Sequence, residues 1–209
     1  MNKLLLFLGL ITIVSMTACS NEIAADNVIK EERTLSFDES IHFKNVVDSV
    51  NKNSYRYIRS GKTRAINNGN SEGIELTSEE EKVLKANEEL LIAASYDLFE
   101  SIGLSKDEIK NEIGEENDEA VVYASLIAIS AIQDNAQMTR SVTGNVYIDC
   151  ALSVLGLDLV SSVRTAISKG ISKKVALRLV EHAVKAAVGT SYAAVITVGL
   201  WGLCVGGIG

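Results

Sequence analysis

The chain changes character at Arg140, and the part beyond it sets the hardest condition on any fold. From Ala186 to Gly209, 24 residues pass without a charged side chain. Such a run must be covered by protein or by lipid, since about 20 apolar residues suffice to cross a bilayer. Charge is divided at the same boundary. Ser20 to Arg140 holds 24 Asp and Glu against 13 Lys and Arg. Ser141 to Gly209 holds six basic residues (Arg164, Lys169, Lys173, Lys174, Arg178, Lys185) against three acidic ones (Asp149, Asp158, Glu181). An asymmetry of this kind predicts two halves with different partners, and here a cationic tail carried behind an acidic guard.

The amino terminus predicts the compartment. Asn2-Lys3 is a short positive region, Leu4 to Val14 is apolar, and Ser15-Met16-Thr17-Ala18 leads to Cys19. This is the layout of a secretory leader, with an apolar run too short for a comfortable membrane span. Met16-Thr17-Ala18-Cys19 resembles a bacterial lipoprotein lipobox, although Met16 stands where Leu is more usual. The resemblance implies cleavage after Ala18, acylation of the Cys19 thiol, and anchoring at the bacterial cell envelope, at the outer membrane. Several acyl chains hold a protein on a bilayer where one would not. The two other cysteines, Cys150 and Cys204, both lie in the tail. In an oxidising compartment they either pair, closing a loop of about 55 residues, or stay as two buried thiols.

The absence of Pro and the dominance of Ala, Leu, Ile, Val, Glu, Lys and Ser predict an all-α fold. It reads as a helical bundle with an acidic N-terminal part and an apolar, Gly-rich C-terminal part. The divisions are a leader at 1–18, a tether at 19–35, an acidic helical domain at 36–135, a linker at 136–145 and a tail at 146–209. Ser36-Phe37-Asp38-Glu39 has the capping-box pattern, and Ile41, Phe43, Val46, Val47 and Val50 follow at helical spacing, so a helix is expected from about Phe37 to Asn51. Tyr55 to Asn70, basic and then Asn/Gly-rich, reads as an exposed loop. Ser78-Glu79-Glu80-Glu81 starts a helix of about 23 residues closed by Gly103. Ser105-Lys106-Asp107-Glu108 starts a short one that stops at Gly114. A fourth, Asp118 to Gln133, places Val121, Ala124, Ala128, Ile129 and Ile132 on one face. Gln133 to Asn145 is polar and aperiodic, and Arg140 within it presents one site to an Arg-specific protease.

In the tail, Val146 to Val163 reads as an apolar helix. Ser172 to Val188 is amphipathic, with Val175, Leu179 and Ala183 on one side and Lys174, Arg178, Glu181 and Lys185 on the other. Gly202 and Gly206 form a GxxxG spacing that lets helices approach closely in lipid, and Tyr192 and Trp201 offer rings of the kind found at membrane interfaces. Lys169, Lys173, Lys174, Arg178 and Lys185 would meet an anionic surface.

In composition and layout, Ser141 to Gly209 is similar to hydrophobic, cationic, helical bacteriocins. The lipobox and long acidic front look more like precursor lipoproteins of some Gram-negative gut bacteria, whose toxin is released by a protease. The resemblance implies that the acidic front is a propeptide, that cleavage after Arg140 frees a secreted C-terminal fragment, and that lipid membranes, an Arg-specific protease and an immunity protein are the partners. The second expectation is a non-enzymatic surface lipoprotein serving as a helical binding or structural module. Enzyme chemistry is not expected. A nucleophile needs an adjacent base, and the only candidates are Cys150 and His182, the latter on the polar side of its helix. The pairs Glu88/Glu89 and Glu115/Glu116 read as solvated faces. No cofactor is implied, His42 and His182 have no metal-ligand spacing, and the acidic front argues against nucleic acid.

Overall fold

The computed structural model describes residues 32–59, 76–114, 117–137, 146–159, 161–187 and 192–206. Among these it has eight α-helices and no strand. They are α1 (Phe37–Arg59), α2 (Ser78–Glu100), α3 (Lys106–Ile113), α4 (Asp118–Gln137), α5 (Val146–Leu155), α6 (Ser161–Ser168), α7 (Lys173–Val184) and α8 (Ala193–Gly206).

Helix starts follow local chemistry. The Ser36 hydroxyl accepts from the Glu39 N–H while the Glu39 carboxylate accepts from the Ser36 N–H. Ser105 and Glu108 do the same for α3. At α2 the cap is Thr77 with Glu80, one residue earlier than the Ser78 expected. Each reciprocal pair satisfies two of the donors that a helix start leaves open. The end of α2 is a Schellman turn. Gly103, at φ 82°, donates to Glu100 O, and Leu104 donates to Phe99 O. Leu104 and Phe99 are both fully buried, which closes the turn on an apolar contact.

α4 holds the centre. Twelve consecutive residues, Ala120 to Ala131, are at most 2% exposed, and every other helix packs against this one. The expectation of one apolar face is therefore too narrow: α4 is covered all round, and it runs on to Gln137 rather than Gln133. Its small polar residues do not prevent this. Ser130 bonds back to the Leu126 carbonyl inside the core.

Three other expectations are corrected. α1 continues to Arg59 through the segment read as a loop, because Ser54 and Tyr57 extend the stripe of Phe43, Val47 and Val50 into the core. The apolar segment from Val146 breaks at Gly156, whose φ of 62° ends α5, and α6 resumes at Ser161. The uncharged run from Ala186 is not one long helix. α8 has 14 residues and follows Tyr192 at φ 66°. Among the described residues no helix is long and apolar enough to cross a membrane.

Both sides of the charge break share one core. α8 packs on α1, α2, α4 and α5, and α7 packs on α3, α4 and α6. Arg33–Gly209 clusters as one compact unit. Cys150 and Cys204 are disulfide-bonded, joining α5 to α8. Leu35 N–H donates to Ile171 O, forming an isolated bridge between the lead-in to α1 and the lead-in to α7.

At Gly202 α8 lies against Asn51 of α1. A Cβ there would run into the Asn51 side-chain amide. Gly202→Ala must push the Asn51 amide aside, and the better helix propensity of Ala in α8 offsets part of that, so the protein should lose about 1 kcal/mol or less. A lower denaturant midpoint with an unchanged slope is the expected reading. An unchanged midpoint would show that the crossing is loose.

Candidate functional site

The notable chemistry lies along the seam where the acidic half meets the tail. The open N–H groups at the start of two tail helices are satisfied by carboxylates from the other half. Asp134, near the end of α4, accepts from the Tyr147 N–H at 3.2 Å and the Ile148 N–H at 2.9 Å, at the start of α5. Glu88, midway along α2, accepts from the N–H groups of Tyr192 and Ala194, at the start of α8. A negative charge at a helix start gains from the bonds and from the helix dipole together. Tyr192 sits in the left-handed region, which disfavours side chains other than Gly, Asn and Asp. The Glu88 carboxylate is one of the contacts that hold it there. At a third point, Lys173 in the first turn of α7 pairs with Glu108 of α3 at 2.7 Å.

These carboxylates differ in their protonation. Glu88 is pushed up to about 7, chiefly by burial and then by the neighbouring Glu119, with Glu89 adding to it and the two backbone donors opposing. Asp134 is raised by burial, against the pull of Ile148 and Tyr147. Glu108 is held down at about 2 by the Lys173 ammonium and by Ser105. Next to Glu88, the Tyr123 hydroxyl is pushed up to about 12 by burial while hydrogen-bonded to Thr197 of α8.

At the other end of α8 the seam opens into a cleft of about 610 Å³. Its apolar walls include Phe37 of α1, Tyr147 of α5, and Trp201 and Val205 of α8. Asn51 and Gln133 also line it, and their side-chain oxygens are buried without a hydrogen-bond partner among the described residues. Gln133 is 8% exposed. Lys44 and Asp48 at the cleft pair with each other at 2.6 Å.

Ala18, Cys19 and Arg140 lie outside the described residues. So do Glu115, Glu116 and most of the expected linker, although Gln133 and Asp134, read as linker, are buried in the last turns of α4. Lys169, Lys174, Arg178 and Lys185 are exposed, with the last three on the outer side of α7 and its exit. Lys173 stands apart from them, paired with Glu108. Trp201 is buried at 4%, with its indole N–H donating to the Tyr147 carbonyl at 3.4 Å. Tyr192 is half-buried at the α8 start, Gly202 faces Asn51, and Gly206 is exposed at the cleft. The cysteines form the disulfide, so Cys150 is not a thiol beside His182.

Sequence reasoning missed Glu88, Asp134, Asn51 and Gln133. One signal was available: Glu88 lies four residues after Leu84 and three before Leu91, on the edge of the buried stripe, whereas Glu89 points to solvent. No family model, curated protein or solved structure matches this chain.

Glu88 carries a pH dependence of definite sign. In the folded state it holds its proton up to about pH 7, while in the unfolded chain it releases it near 4.5. The native state therefore binds more protons in that window, and stability is full below it and falls as pH rises through about 7. Wild-type protein should lose about 1–3 kcal/mol of unfolding free energy between pH 5 and pH 8 relative to Glu88→Gln, which keeps an acceptor but cannot titrate. Parallel pH profiles for the two proteins would refute this assignment.

Proposed function

We propose that the chain is a lipid-anchored precursor in which the acidic half keeps a membrane-active C-terminal region folded until cleavage after Arg140 releases it. The observation that carries this reading is the position of the disulfide. Cys150 and Cys204 both lie beyond the linker, so a cut there leaves no covalent bond between the halves while the tail stays closed by its own bridge. The contacts across the seam are then non-covalent, among them packing on α1, α2 and α4, the Glu88 and Asp134 caps, the Lys173–Glu108 pair and the bridge at Ile171.

Release would expose what the seam covers. Ala193, Ala194, Val195, Ile196, Val198 and Trp201 of α8 are buried in the precursor. Freed from α1, α2 and α4, that surface gains by entering lipid, at about 25 cal/mol per Å² removed from water. The uncharged run from 186 to 209 is long enough to cross once its backbone is hydrogen-bonded internally, as the bilayer interior demands. Exposed Lys169, Lys174, Arg178 and Lys185 would add attraction to anionic lipid, about 1 kcal/mol each near the surface. The Cys19 anchor would hold the precursor at the producer's envelope, and an immunity partner would protect that cell.

The second reading, a surface lipoprotein that acts as a helical binding module, is favoured by the cleft lined by Asn51 and Gln133. Vesicle leakage separates the two. The disulfide-closed peptide Ser141 to Gly209 should release dye from anionic vesicles, the intact chain should not, and Val198→Asp in the peptide should abolish leakage, because a mid-span charge costs about 2.5–3.5 kcal/mol on insertion. A wild-type peptide that is inert across a broad concentration range would eliminate the toxin reading and leave the binding module.

A further inference from the structure

The cleft at the carboxyl end of α8 combines three properties that together describe a ligand. Its size, about 610 Å³, is that of a small-molecule site rather than a packing gap. Its walls are mainly apolar, with three aromatic side chains, Phe37, Tyr147 and Trp201. Its unsatisfied polar atoms are two oxygens, Asn51 Oδ1 and Gln133 Oε1, both acceptors. A buried acceptor without a donor is destabilising, so a group that supplies the donor gains the whole of that deficit on binding. Lys44 and Asp48 neutralise each other at the cleft, so among the described residues that line it no uncompensated charge is left to select an ionic head.

We propose that this cleft binds a neutral, mostly apolar small molecule carrying a hydroxyl or N–H donor, which the Gln133 side chain turns to accept at its Oε1. The site is built from both sides of the seam. Phe37, Asn51 and Gln133 come from the acidic half, and Tyr147, Trp201 and Val205 from the tail. A ligand there recognises only the docked arrangement, so its binding free energy adds to the stability of that arrangement. The site follows from the cleft alone and stands whether or not the tail is ever released.

Trp201 is the only tryptophan in the chain, so its single indole N–H resonance reports occupancy directly. The full chain is titrated with 4-phenylphenol and, separately, with 4-methoxybiphenyl, which keeps the apolar body but lacks the donor. The phenol should shift the indole resonance saturably and raise the melting temperature, and the ether should bind at least about fivefold more weakly. Gln133→Leu, which removes an unsatisfied buried oxygen and should fold at least as well, should weaken the phenol to about the level of the ether and leave the ether unchanged. Phe37→Ala, at a half-exposed wall position outside the core, should weaken both by about threefold or more. No saturable shift with either compound would overturn the site. Equal wild-type affinities, or a preference for the phenol that survives Gln133→Leu, would overturn the recognition assigned to Gln133.

Discussion

Everything in this fold depends on covering α4. A helix apolar on all sides is stable in water only if protein surrounds it, and Ala120 to Ala131 meets that condition to within 2% exposure. The four helices before the charge break cannot do this alone, because one of them is α4 itself and α3 has only eight residues. The missing cover comes from α5, α6, α7 and α8. The tail is therefore part of the solution to the front half's packing problem, and the front half covers the tail in return. α8, uncharged throughout, is buried along one flank by α1, α2, α4 and α5.

The charge asymmetry takes on a structural meaning in that arrangement. Helix starts are partial positive charges with unpaired N–H groups. At the starts of α5 and α8 such N–H groups donate to Asp134 and Glu88 of the acidic half. The two caps sit in partly buried surroundings that raise both carboxyls, Glu88 to about 7, so Glu88 carries less than its full charge near neutral pH. By contrast Glu108, exposed and paired with Lys173, stays ionised throughout. The seam thus combines one firmly charged contact with one, at Glu88, whose carboxyl holds its proton up to about pH 7 in the folded chain.

Much of this was legible from the residues. The helical class, the capping boxes at Ser36 and Ser105, the stops at Gly103 and Gly114 and the polar side of α7 follow from local rules that tertiary context did not override. The errors have physical causes. In α4 the small residues Ser125 and Ser130 disguise an all-round core as a one-sided stripe, because a small serine counts as polar in a pattern yet packs inside the core, Ser130 with its hydroxyl bonded back to Leu126. α1 outruns its expected end because Tyr57 reaches the core past a basic sequence. The uncharged run reads as a single span in sequence because nothing local signals that Tyr192 adopts a left-handed backbone held by a carboxylate 104 positions earlier. The cleft was invisible for the same reason, since its walls come from α1, α4, α5 and α8 and no one segment carries the pattern.

The central claim, that acidic half and tail form one cooperative unit around α4, is tested most directly by native-state hydrogen exchange on the intact chain. The account predicts that the most protected amides of α4, α5 and α8 exchange through one shared global opening, with a common free energy and a common denaturant dependence. If α5 and α8 instead opened together at lower free energy while α4 stayed protected, α4 would not need the tail to cover it, and the account would be wrong.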